Sequence, residues 1–215
     1  MDQVVVAVPK GRLFEDTVDV FFKAGLIKER LLENSRKLIV SDEKSNLDFI
    51  LVRAKDVITY VVEGISDIGV VGYDLLVEYS PDVFSVLDLK FGYCKLVVAG
   101  RENYNLNSTT LRIATKFPNI TKSYFRAKEI EPKVIDLYGS VELGPITGLS
   151  DVIVDITSTG ATLVENNLTV LEEIFESTSR LIVNKRSFYF KKDRIKYIVS
   201  GLQKVLEQEN IDEKI

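Results

Sequence analysis

Residues 151–163 read Asp-Val-Ile-Val-Asp-Ile-Thr-Ser-Thr-Gly-Ala-Thr-Leu. A buried Val/Ile strand ends in the acid Asp155, a hydroxyl-rich turn with one glycine follows, and a helix is expected to open at about Ala161. Backbone N–H groups at such a turn point outward without partners. Gly160 lets the backbone come close to a ligand, and Thr157, Ser158, Thr159 and Thr162 add hydroxyl donors. This is the chemistry of a phosphate cradle. The Asp155 carboxylate just ahead of it suits a vicinal diol, because it accepts two hydrogen bonds. An acid followed by an anion cup reads as a pocket for a ribose phosphate. The lysine and spacing of a Walker loop are missing, so a nucleoside-triphosphatase loop is not expected. An ordinary capped helix after a strand uses the same residue types, and the loop alone does not separate the two readings.

A second set of polar residues follows other apolar runs. Lys10, Gly11 and Arg12 come directly after Val4–Val8, Arg53 follows Phe49–Val52, and Gly72 follows Ile68–Val71. Loops at the carboxyl ends of parallel strands are where α/β proteins take ligands, and the planar fork of arginine pairs bidentately with phosphate. Arg12, Arg36 and Arg53 are therefore candidates to face anionic substrate; a solvated helix start or a surface ion pair is the alternative for each. The chain has no histidine and one cysteine, Cys94. A histidine base, a His-based triad and a His-ligated zinc site are excluded. Cys94 fits a packed strand residue in a reducing compartment.

Short Val/Ile/Leu runs alternate with stretches of helical spacing. Strands are expected at 4–8, 49–52, 68–71, 83–87, 93–99, 111–115, 133–137, 151–156 and 180–183. Helices are expected near 13–24, 56–63, 73–78, 120–130 and 193–208. Such alternation implies α/β architecture with mostly parallel sheet. Gly64-Ile65-Ser66-Asp67 is echoed by Gly148-Leu149-Ser150-Asp151, each ahead of a buried strand. This suggests two similar α/β lobes with a cleft between them as ligand site: residues 1–91 plus 180–215, and 92–179. Tyr189, Phe190 and the last helix are expected either inside lobe one or on a dimer or partner surface.

The 215 residues are 46% hydrophobic and 28% charged, with a net charge of −4. This is a globular balance with material for a substantial core. The negative sign argues against nucleic acid as a partner. No run approaches the roughly 20 apolar residues of a membrane span, and the start of the chain lacks the pattern of a secretory signal. A cytoplasmic protein without membrane partners is expected.

The sequence resembles the ATP phosphoribosyltransferase family, the first enzyme of histidine biosynthesis. The family signature is carried as Glu142, Gly148, Ser150, Ile153, Asp155, Ile156, Thr159, Gly160, Thr162 and Leu163. The resemblance extends to Pro9-Lys10-Gly11-Arg12, Ser35-Arg36-Lys37-Leu38, Val52–Val57, Gly64–Gly72, Cys94-Lys95-Leu96, Ile113-Ala114-Thr115-Lys116 and Arg180–Val183. It implies a bilobal fold like type II periplasmic binding proteins. The implied reaction joins ATP and 5-phosphoribosyl 1-pyrophosphate to give phosphoribosyl-ATP and pyrophosphate, with Mg²⁺.

The ending at Ile215 is similar to the short form of the family, whose catalytic dimer joins a regulatory subunit related to histidyl-tRNA synthetase. By the same resemblance, Asp155 holds the ribose hydroxyls, and Thr157, Ser158, Thr159, Gly160, Ala161 and Thr162 hold the 5-phosphate. Glu142, with Asp151, helps with ribose or magnesium; the metal arrives on the substrate, and no protein ligand is assigned to it. Lys10, Gly11, Arg12, Arg53 and Gly72 fall on the ATP side, and Arg12 and Arg36 grip the phosphates. Adenine N1 attacks the anomeric carbon directly, so the enzyme aligns the reactants and neutralises the departing anion. A solute-binding or sensing protein of the same fold is the alternative. A nucleobase phosphoribosyltransferase fits less well: Val154, not a second acid, precedes Asp155.

Overall fold

The computed structural model describes residues 2–31, 37–108 and 110–212, which divide into two compact units. The first comprises residues 1–76, 80–92 and 178–215, and the second 77–79 and 93–177.

The first unit opens with β1 (Val4–Pro9), whose Val-Val-Val-Ala-Val run is buried on both faces. Then come α1 (Arg12–Lys23), β2 (Ile39–Asp42), β3 (Leu47–Val52), α2 (Ala54–Val62), β4 (Ile68–Gly72), α3 (Tyr73–Tyr79) and β5 (Phe84–Asp88). Phe14, Val18 and Phe21 recur at helical spacing on α1 and are buried, with Phe14 and Phe21 edge-on to Phe49 of β3 at 6.4 and 5.4 Å. Edge-to-face contact suits the ring quadrupoles.

The second unit holds β6 (Cys94–Gly100), β7 (Arg112–Thr115), α4 (Pro118–Arg126), β8 (Lys133–Asp136), α5 (Leu143–Thr147), β9 (Val152–Thr157), α6 (Ala161–Glu165) and β10 (Thr169–Ser177). The chain then returns through β11 (Ser179–Val183), α7 (Lys185–Phe190) and α8 (Lys192–Asp212). Ile195, Ile198, Leu202 and Leu206 bury one stripe of α8.

The sheets are mixed, which corrects the expectation of mostly parallel pairing. The first runs β2-β3-β1-β4-β11-β5 and the second β10-β6-β9-β7-β8. Among the described residues, only β1/β3, β1/β4, β7/β8 and β7/β9 are parallel. Parallel pairing needs a crossover between consecutive strands. β5, β6, β10 and β11 flank the passages from one unit to the other, and they pair antiparallel.

Sequence periodicity missed β2, β10, α5 and α7. β10 reads Thr-Val-Leu-Glu-Glu-Ile-Phe-Glu-Ser, polar enough for an edge strand and free of a clean two-residue alternation. α4 stops at Arg126, short of the expected Ile130, because Glu129 turns left-handed (φ 61°) and Ile130 N–H reaches back to Phe125 O at 3.0 Å. Tyr189 and Phe190 are 69% and 77% exposed, not packed inside the unit.

The Gly-x-Ser-Asp echo is a structural repeat. β3-β1-β4-β11-β5 and β8-β7-β9-β6-β10 follow one order with the same strand directions. Ahead of β4, Asp67 N–H donates to Val5 O (2.9 Å) while its carboxylate accepts from Val5 N–H (3.0 Å). Ahead of β9, Asp151 N–H donates to Arg112 O (2.9 Å) and its carboxylate accepts from Arg112 N–H (2.8 Å). Each aspartate thus acts as an extra rung at the start of a parallel pair.

Candidate functional site

β9 lies between β6 and β7, so its carboxyl end opens onto the turn after β7 and the start of α5. A pocket of about 170 Å³ forms there, lined by Val97, Glu142 and residues 155–163. Thr157, Ser158, Thr159, Gly160, Ala161 and Thr162 all lie on its wall, together with Asp155 and Glu142.

Asp155 closes one end of the pocket. Its side chain is 13% exposed and its Oδ1 sits 3.0 Å from Lys116 Nζ; Ile156 N–H also donates to Oδ1 at 2.8 Å. Burial pushes its pKa above the ordinary carboxylate value. Lys116 and the Ile156 amide work against that push, and the Glu142 charge adds to it.

The loop is more self-bonded than the bare pattern implies. Thr157 Oγ1 accepts from Gly160 N–H at 3.0 Å, and Thr159 Oγ1 accepts from Ala161 N–H at 3.4 Å. The amides of Thr162 and Leu163 have no acceptor among the described residues. Gly160 is left-handed (φ 78°, ψ −2°), and a Cβ there would touch nothing within 4 Å. Glycine is therefore required by the backbone angle and not by crowding. α6 has only five residues, so hydroxyls and local amides, and not a long helix dipole, supply the positive lining.

In the sequence Lys116 is only the end of the family stretch Ile113–Lys116, with no role attached; its position directly after β7, the parallel neighbour of β9, is what brings it to the pocket. Asp151 is engaged elsewhere. Arg112 clamps its carboxylate through Nη2 at 2.6 Å and Nε at 3.2 Å, which holds its pKa below the ordinary value, and Asp151 is not among the residues that line the Asp155 pocket.

In the first unit, β1, β3 and β4 run parallel, with Pro9 opposite Val52. Lys10, Gly11, Arg12, Arg53 and Gly72 consequently lie at the carboxyl ends of these three neighbouring strands. Lys10 N–H donates to Val52 O at 3.1 Å. Arg12 is 83% exposed with Asp16 3.8 Å away, and Arg53 is the exposed residue ahead of α2. Gly72 has an ordinary extended backbone; a Cβ there would collide with the buried Asp74 carboxylate. The lack of a side chain at Gly72 leaves room for the Asp74 carboxylate. Arg36 lies outside the described residues. The candidates accordingly form two sets, one in each unit.

Comparison with known proteins follows the same lines. The profile of the HisG family, described as ATP phosphoribosyltransferase, matches residues 53–204. ATP phosphoribosyltransferase of Caldanaerobacter subterraneus subsp. tengcongensis is 52% identical over 96% of this chain and 99% of its own. The Thermoanaerobacter sp. protein of the same name is 50% identical over 96% of this chain and 98% of its own. Among solved structures, the ATP phosphoribosyl transferase (HisG:HisZ) complex from Thermotoga maritima gives a chain with TM-score 0.82 and 39% identity, covering 96% of this chain and all of that one. The periplasmic aliphatic sulphonate binding protein SsuA from Escherichia coli superposes with TM-score 0.64 at 11% identity, covering 100% of this chain and 76% of that one; this likeness is one of fold alone. With the α/β repeat and the Asp155 pocket in place, this chain belongs to the ATP phosphoribosyltransferase family.

Proposed function

We propose that this chain transfers the 5-phosphoribosyl group of phosphoribosyl pyrophosphate to N1 of ATP, releasing pyrophosphate, as the first step of histidine biosynthesis. The observation that carries the reading is the pocket at the carboxyl end of β9, where the Asp155 carboxylate adjoins a glycine-containing loop of hydroxyls. Asp155 accepts hydrogen bonds from the ribose hydroxyls, with Glu142 beside it. Residues 157–162 take the 5-phosphate through hydroxyls and amides. Lys10, Gly11, Arg12 and Arg53, at the carboxyl ends of β1 and β3, serve ATP. Arg12 and Arg36 bind the phosphates and the departing anion, where a guanidinium is suited to two oxygens at once. Gly72, at the carboxyl end of β4, belongs to the same ATP set.

No protein nucleophile is needed. Aligning N1 with the anomeric carbon and balancing the charge on the leaving group supply the rate. No protein ligand is assigned to the metal; a divalent ion, Mg²⁺, would arrive on the oxygens of the sugar pyrophosphate and would help to neutralise the leaving group.

The chain works in the cytoplasm as a homodimer that joins a regulatory subunit resembling histidyl-tRNA synthetase. The Thermotoga maritima complex supports that assembly, and no described helix is long and apolar enough to cross a membrane. The test is an absorbance assay for phosphoribosyl-ATP with purified chain, ATP, phosphoribosyl pyrophosphate and Mg²⁺, with and without the regulatory subunit. Product in either mixture is expected; its absence from both removes the reading.

A further inference from the structure

Lys116 is fixed in place more firmly than a surface lysine needs to be. The residue before it, Thr115, is fully buried; its Oγ1 donates to Val154 O at 2.7 Å and accepts from Phe117 N–H at 2.8 Å. One hydroxyl therefore spans the turn and ties it to the β9 residue adjacent to Asp155. Beyond the turn, Thr121 Oγ1 donates to Phe117 O at 2.7 Å. The Glu78 carboxylate accepts the Asn119 and Ile120 N–H groups, both at 3.0 Å. Residue 116 thus sits between two anchored neighbours, and its ammonium ends 3.0 Å from Asp155 Oδ1. The groups around Asp155 are few. Lys116 faces it from the turn after β7 and Glu142 from the start of α5; β6 offers apolar Val97, and the loop offers hydroxyls and amides. The Glu142 charge adds to the burial that opposes the charge of Asp155, and Lys116 works against both.

We propose that Lys116 is a positioning residue of the sugar-phosphate pocket: its ammonium holds the Asp155 carboxylate in the orientation and charge state that accept two ribose hydroxyls. This rests on the reading of the pocket given above. A neutral aspartic acid would offer one oxygen as a donor and lose part of its match to a diol. Lys116 itself, 37% exposed, keeps its ammonium partly in water and also over the Phe117 ring, 5.7 Å from its centroid.

The test compares Lys116→Met and Lys116→Arg with the unaltered chain, using two readouts. The first is the ¹³C shift of the Asp155 carboxyl in the ligand-free protein across pH, identified by its loss in Asp155→Asn. Its midpoint should rise by about one pH unit in Lys116→Met, at the low end of what a nearby opposite charge provides, and return in Lys116→Arg. The second is the KM for phosphoribosyl pyrophosphate, assayed with the regulatory subunit present. It should rise about tenfold in Lys116→Met below that midpoint, the equivalent of one pKa unit, while the KM for ATP stays, and the arginine variant should recover most of the loss. An unmoved midpoint, or an arginine variant no better than methionine, overturns the proposal. A shifted midpoint in a chain that does not bind phosphoribosyl pyrophosphate leaves the ion pair standing; it overturns the substrate reading and, with it, the ribose role given to Lys116.

Discussion

Asp155 shows at the scale of one residue how a site acts against the stability of its own fold. Burial raises its pKa, so folding disfavours its charge. For such a group the cost is present above the folded pKa and relieved as pH falls through it. Replacing Asp155 with Asn should therefore leave the thermal midpoint at pH 7 unchanged or a few degrees higher. The same change should lower kcat/KM for phosphoribosyl pyrophosphate by two orders of magnitude or more, an estimate for a lost charged contact at the reacting sugar. Gly160 tests the neighbouring backbone. Gly160→Val forces a β-branched residue to φ 78°, at a cost of about 1–3 kcal/mol. The loop should open before the fold fails, which is read as lost substrate binding with a modest fall in the urea midpoint. Asp155 and its loop were legible in sequence because strand, acid, hydroxyls and glycine are contiguous. Lys116 was not, because its partner lies 39 residues away and meets it only through the β7/β9 pairing.

Among the elements, the paired aspartates ahead of β4 and β9 carry most of the repeat. Asp151 takes an arginine and a backbone amide, and its pKa is lowered first by the Arg112 hydrogen bonds. An acid with a depressed folded pKa stabilises above its unfolded value, and that contribution is lost as pH falls through the folded one. Asp151→Asn should thus cost up to about 1 kcal/mol at pH 7, because the Arg112 side chain is 39% exposed and water screens the pair. Urea unfolding at pH 7 and again below pH 4 should show the gap narrowing in acid. The echo of Gly-x-Ser-Asp was legible as a repeat, yet its meaning was not. As isolated acids Asp67 and Asp151 look like site candidates, and only the neighbouring strand shows that each completes a ladder. The direction of β6 and β11 was equally hidden, since an apolar run reads the same either way along a sheet.

Across the molecule, the ends of the first unit's excursion are fastened at Asp88. Burial pushes its carboxyl up, but Lys90, Thr178 and Arg180 together hold it well below the usual range. Thr178 and Arg180 belong to the returning chain, so one carboxylate ties departure to return. Asp88→Asn should lower stability at neutral pH, and its deficit should shrink as pH falls below about 4, where the unfolded carboxylate takes its proton. Calorimetric scans of both proteins across acid pH decide this. α3 crosses the same division from another direction: residues 77–79 group with the second unit while the rest of that helix stays with the first. Glu78 caps α4 from there. Deuterium uptake at the amides of Asn119 and Ile120 is therefore governed by a segment some forty positions upstream. A chain cut after residue 79 and reassembled from two pieces would have slow exchange at those amides only while the upstream piece remained bound.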